Sequence, residues 1–189
     1  MTIARLKITL EGIAPAVSRT LEVPVDIRLD RLHLVIQAAM GWDNEHLYAF
    51  MAGRSQWGRP DPHAVIRPLP ASKASLAELL TAAGKAPIRY IYDFGDDWLH
   101  LLEAKIMGDP TPGNLYPRLL DVTGRCPPED VGGLPGYEHF LSVIADPGHP
   151  EHENLTEWVG GPFDPHVPDA DDLRFEVLRL AKKWKPRKS

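Results

Sequence analysis

The sequence predicts an α+β fold: a single domain in which a mostly antiparallel sheet packs with helices, ending in a helical C-terminal third. Three observations carry this prediction. Short segments of alternating apolar and polar residues gather before Met107, one strongly helical stretch interrupts them, and three amphipathic stretches follow Pro135. Strands early and helices late are the pattern of an α+β domain rather than of alternating β-α-β units.

In "ARLKITL", Leu6, Ile8 and Leu10 share one face while Arg5, Lys7 and Thr9 share the other, the period of a half-buried strand. Val17 to Val25 repeats the alternation, which gives a hairpin or meander. In "LDRLHLVIQAAMGW" the residues Leu32, Val35, Ile36, Ala39 and Met40 recur at the helical period, with Asp30 as the expected N-cap and Gly41 as the stop. "HLYAFMAG" reads as a short strand. Gln56 to Pro70 holds four prolines and reads as a loop. Ser75 followed by Glu78 has the spacing of a capping box and opens a short helix to Ala83.

Two strands, Ile88–Phe94 and Trp98–Ile106, are expected to be joined through "GDD", and Gly and Pro crowd the chain from Gly108 to Pro117. In the last third, Tyr137, Phe140, Leu141 and Ile144 form one helical stripe. "HPEHENLTEWVGG" reads as a short helix, and a terminal helix from about Asp171 to about Trp184 opens with acidic residues and closes with lysines.

Composition bounds the function. A chain of 189 residues suits one domain that buries roughly 70% of its unfolded surface. A net charge of -5 argues against a protein that coats nucleic acid, because that affinity comes from Lys and Arg on phosphates. Cys126 is the single cysteine, so neither an internal disulfide nor a multi-cysteine zinc site can be built, and a reducing cytoplasm is the expected location. "MTIARLKITLEG" lacks the unbroken apolar core of a signal peptide, and no apolar run approaches the roughly 20 residues of a membrane helix, so no membrane association is expected.

Two motifs are richest in chemistry. In "YDFGDDWLH", Gly95, Asp96 and Asp97 suit a turn, but His100 falls by alternation in an apolar row with Trp98, Leu102, Ala104 and Ile106. His100 there is either a hydrogen-bonded core residue or, with Asp93 or Asp97, an oriented base or metal ligand. In "GRCPPEDVGGLPGY", the diproline and paired glycines hold Glu129 and Asp130 on a rigid loop before a helix. Weaker signals are His149 and His152 in "DPGHPEHE", whose spacing can hold zinc, and the tail "AKKWKPRKS", with five basic residues that could touch phosphates. Cys126 reads as a structural thiol.

Together "RLHLVIQAAMGWDNEHLYAF", "YDFGDDWLHLLE", "CPPEDVGGLPGYEHFL" and "EWVGGPFDP" resemble the plasmid pRiA4b ORF-three-like family, which also takes in mobile-element passenger proteins described by name as resolvase-like. The resemblance spans about residues 4 to 180 and implies a small α+β domain, here 1–184, with 185–189 as a basic tail. It implies no particular reaction. The chain departs from the family's pattern at Ser18, before Arg19, and in "FDPHVPD".

The leading expectation is a cytoplasmic binding or accessory protein whose polar cleft is lined by Asp93, Asp97, His100, Glu129 and Asp130. The alternatives are a metal-assisted hydrolase using the same residues and a DNA-associated partner using the tail. Cofactor, catalytic residues and partner are not specified by the sequence.

Overall fold

The computed structural model describes residues 1–60 and 67–185. Its strands are β1 (Ile3–Leu10), β2 (Ser18–Pro24), β3 (Tyr48–Ala52), β4 (Ser55–Gly58), β5 (Leu69–Pro70), β6 (Ile88–Tyr92), β7 (Trp98–Gly108) and β8 (Arg118–Thr123). The helices are α1 (Leu29–Met40), α2 (Leu76–Ala83), α3 (Gly133–Ile144), α4 (His152–Trp158) and α5 (Ala170–Trp184), with a 3-10 turn at Ala71–Lys73. The eight strands form one sheet in the order β5-β4-β3-β6-β7-β1-β2-β8. Every pairing is antiparallel except the short parallel contact of β4 with β5.

The alternation in β1 does what its period predicts: Leu6, Ile8 and Leu10 are buried, and Arg5 and Lys7 are exposed. On the wet face Glu22 pairs with Arg5 at 2.8 Å and with Arg118 at 3.5 Å, so charge lines the side the helices leave open. The other face carries the core, an apolar cluster into which α1 sends Leu29, Leu32, Val35, Ile36, Ala39 and Met40. Burying one such side chain contributes about 1.5–3 kcal/mol, so this stripe anchors the helix. α5 packs against α1 and β8 through Leu173, Val177 and Ala181.

Four local expectations are corrected. Asp30 does not cap α1: the helix starts at Leu29 with Arg28 at the N-cap, and Asp30 lies in the first turn, where its carboxylate takes two hydrogen bonds from Arg28. The stretch read as a loop from Gln56 holds β4, which folds back on β3 and buries Trp57, and the short β5; residues 61–66 of that stretch lie outside the described residues. A strand at Arg118–Thr123 was not expected, because its alternation spans only six residues and it pairs on one side alone, with β2. On β7 the apolar row ends at Leu102, and Ala104 and Ile106 are exposed as the strand runs beyond the core. The capping box at Ser75 is present in full, with Glu78 accepting from the Ser75 backbone at 2.7 Å. Gly41 ends α1 in the left-handed conformation at φ 85°, which a side chain would strain.

Candidate functional site

Three segments meet at one end of the sheet: residues 42–46 after α1, 93–97 between β6 and β7, and 126–133 running into the first residue of α3. Each is fixed by named bonds. Trp42 donates its indole N–H to the carbonyl of Pro127 at 2.9 Å, and its ring stacks on Tyr92 with centroids 5.0 Å apart. The Asp43 backbone N–H donates to Glu129 Oε1 at 2.8 Å, and the Tyr92 hydroxyl donates to the same oxygen at 3.0 Å. That hydroxyl in turn accepts from the Glu45 N–H at 3.1 Å. The 93–97 bend reaches the other loop through Asp96, whose Oδ2 accepts from the Gly132 N–H at 3.1 Å. Gly133 sits so close to this bend that a Cβ would lie 2.6 Å from the Asp96 carbonyl oxygen, and its φ is +65°.

The bend itself differs from the expected GDD turn. Asp93 and Asp97 take the left-handed conformation at φ 56° and 57°, Asp97 N–H donates to the Asp93 carbonyl at 2.7 Å, and Asp93 Oδ1 accepts from Gly95 N–H at 2.9 Å. Among the described residues, four other than glycine have positive φ: Asn44, Asp93, Asp97 and Asp130. All four belong to these three segments. Left-handed backbone is uncommon outside glycine, and Asn and Asp tolerate it because their short side chains bond locally.

At the centre of the three segments stands His46. Its Nε2 lies 3.0 Å from Asp130 Oδ1, 3.7 Å from Asp93 Oδ2 and 3.8 Å from Glu129 Oε2. His46 Nε2 and Glu129 Oε2 are both buried atoms without a hydrogen-bond partner. One ligand atom each from His46, Asp93 and Asp130 lie mutually within 4.8 Å, a spacing that can hold a metal ion, and among the described residues no other group of three does so. Burial is the main reason the Glu129 carboxyl is pushed above its ordinary pKa, against the pull of the Asp43 and Tyr92 hydrogen bonds. Burial also raises the Tyr92 hydroxyl well above its ordinary value, with the neighbouring Glu129 adding to it, so Tyr92 stays a donor.

The sequence-predicted residues separate into two groups. Asp93, Glu129 and Asp130 converge on His46. Asp97 is exposed and closes the bend through its backbone. His100 is fully buried beneath the site: its Nδ1 lies 3.2 Å from the Tyr90 carbonyl and its ring meets Trp42 edge-on at 5.5 Å. Burial lowers its pKa to about 4, so it is neutral at pH 7. The structure thus puts a different imidazole, His46, between the two bends. The signal was present in "WDNEH", a polar run immediately after the helix stop, which alternation from the following strand obscured. Among the described residues, His149 and His152 acquire no third ligand: the His152 ring bonds the Val143 carbonyl at 3.1 Å, and His149 accepts from the Glu151 N–H. The tail residues 186–189 lie outside the described residues.

Fold and site together define a small α+β protein with a helix-backed, mostly antiparallel sheet and a polar loop site at one end of it. The chain belongs to the family described as plasmid pRiA4b ORF-3-like protein, whose profile matches residues 2–172. It is similar to the uncharacterized protein y4hQ of Sinorhizobium fredii (strain NBRC 101917 / NGR234), with 42% identity over 97% of this chain and 94% of that one. It is also similar to the crystal structure of the protein of unknown function MM3350 from Methanosarcina mazei Go1, with TM-score 0.80 and 31% identity over 90% of this chain and 97% of the other. Among the described residues, no helix is long and apolar enough to cross a membrane.

Proposed function

We propose that this protein is a cytoplasmic accessory protein that binds its ligand or partner through a divalent cation held by His46, Asp93 and Asp130, with Glu129 beside it. The observation that carries the reading is the convergence of three carboxylates on one imidazole nitrogen, at 3.0–3.8 Å. Among the described residues, no Lys or Arg forms an ion pair with any of the three carboxylates. If His46 were protonated it would offset one negative charge of three. Carboxylates gathered this closely repel one another unless a cation or a proton intervenes. One imidazole with several carboxylates suits Zn²⁺ or Mn²⁺ better than a soft thiolate-seeking ion. The high exposure of Asp130, at 66% of its side chain, leaves one side of the site open to a ligand.

A second reading, metal-assisted hydrolysis, has one specific observation in its favour. The raised pKa of Glu129 beside the cation position suits a base that takes a proton from a bound water. The binding reading is tested by titrating Zn²⁺ and Mn²⁺ into EDTA-stripped, tag-free protein in a calorimeter. One ion per chain is expected, with loss of binding in His46→Ala and Asp130→Asn. Absence of stoichiometric binding, or binding indifferent to both substitutions, refutes it. Metal-dependent hydrolysis of a generic ester or phosphodiester that disappears in Glu129→Gln would favour the second reading over simple binding.

A further inference from the structure

On the other side of Glu129 and Trp42 lies a cavity of about 240 Å³ between the 125–129 loop and the 163–173 segment. Its walls include Met40, Trp42, Phe163 and Leu173, and two guanidinium groups, those of Arg19 and Arg125. Arg19 is fully buried. Its Nε donates to the Ala39 carbonyl at 2.7 Å, and its Nη1 donates to the carbonyls of Ser18 and Thr123 at 2.8 and 2.7 Å. A guanidinium has five donors, and these bonds use three. The remaining two are on Nη2, a buried nitrogen with no partner.

Asp121 attracts this charge only from beyond ion-pair distance. No carboxylate forms an ion pair with Arg19 among the described residues. Cys126 is close to it, but burial pushes that thiol up to about 12, so it is not a thiolate. A buried, unpaired cation is costly, and carbonyl acceptors compensate it only in part. The second guanidinium, Arg125, lies over the Phe163 ring at 4.6 Å, and its contact with Asp169 is long, 3.6 Å, with Asp169 mostly exposed.

We propose that this cavity binds a small organic carboxylate, whose oxygens are taken by Arg19 Nη2 and Arg125 and whose apolar body rests on Trp42 and Phe163. A single negative charge fits better than a phosphate dianion. Glu129 and Asp169 also line the cavity and would repel the second charge, and four phosphate oxygens would need donors that the apolar walls do not supply. The carboxylate site stands independently of the cation site, whose ligand group does not line this cavity, although Glu129 lies beside both.

Benzoate is the probe, in EDTA so that the cation site plays no part, with benzyl alcohol and inorganic phosphate as controls. Calorimetry should show saturable benzoate binding that weakens about tenfold or more in Arg125→Gln, the loss expected for one charge-assisted hydrogen bond. Because Arg19 ties three strand and helix carbonyls together, Arg19→Gln is judged only if its circular dichroism matches wild type. A second readout needs no mutation. Cys126 lines the cavity, so bound benzoate should slow its reaction with 4,4′-dithiodipyridine several-fold. No benzoate binding, binding without thiol protection, equal binding of benzyl alcohol, or phosphate binding as tightly as benzoate would each overturn the proposal.

Discussion

Replacing Tyr92 by Phe removes one oxygen and tests the geometry of the loop site. The hydroxyl donates to Glu129 Oε1 at 3.0 Å and accepts from the N–H groups of Glu45 and His46 at 3.1 and 3.4 Å, so the variant loses one bond to a carboxylate and strands two backbone donors. A hydrogen bond to a charged group contributes about 1.5–3 kcal/mol, and Glu129 is buried enough, with 19% of its side chain exposed, for much of that to be felt. A loss of about 2 kcal/mol lowers Tm by about 4–8 °C in a protein of this size. The loss should also depend on pH in a definite direction. Burial raises the folded pKa of Glu129, so its contribution to stability is most favourable below the ordinary carboxylate value and is lost as pH rises through the folded one. The Tyr92 bond opposes that rise, because it favours the ionised form. Tyr92→Phe therefore costs more at pH 8 than at pH 4, where a protonated carboxyl gains less from the hydroxyl. Urea denaturation at both pH values measures the difference. An equal cost at the two, or a cost under about 0.5 kcal/mol at pH 8, would refute the reasoning, since the bond would then carry little charge assistance.

Three further outcomes test other parts of the molecule. Gly133→Ala places a Cβ 2.6 Å from the Asp96 carbonyl at φ +65°, so it should part the two loops and weaken cation affinity at least tenfold while circular dichroism stays native; unchanged affinity would show that the loops need not touch. His33 and His100 are both held neutral, with pKa values lowered to about 4 chiefly by burial, so stability should fall as pH drops from about 6.5 towards 4, by up to about 3 kcal/mol for each. His100→Phe should remove about half of that acid limb in urea titrations, and an unaltered slope would mean the ring is not the titrating group. Ser75→Ala removes the capping box of α2 and should cost about 1 kcal/mol, read as a Tm lowered by about 2–4 °C; no change would assign the helix's stability to packing alone.

The parts of the fold legible in the sequence were those set by local chemistry. β1 alternates cleanly because one face is wet, and α1 shows its helical period because its stripe meets the core. β4 and β8 were hidden for the opposite reason: four and six residues leave too few alternations, and the pairing that makes them strands comes from distant partners. The loop site was half legible. Asp93, Glu129 and Asp130 stand out as polar residues on Gly- and Pro-bearing bends, and polar residues on rigid bends are a local signal. Which imidazole they meet is a matter of topology. His100 was conspicuous because it interrupts an apolar row, yet β7 turns that row into the core. His46 was inconspicuous among polar neighbours, and only the return of the chain after α1 brings it under the two bends. Arg19 posed the same problem: it is buried on β2 as Leu21 and Val23 are, but that its Nη2 lacks an acceptor depends on carbonyls of α1 and β8.

The most direct test of the cation centre is an anomalous-scattering map from crystals grown metal-free and soaked in a low concentration of ZnCl₂. A single strong peak is expected about 2.0–2.1 Å from His46 Nε2, with a carboxylate oxygen of Asp93 and one of Asp130 drawn to about 2.0–2.2 Å. A map with no peak there, or with zinc held instead by surface histidines such as His139 and His149, would contradict it.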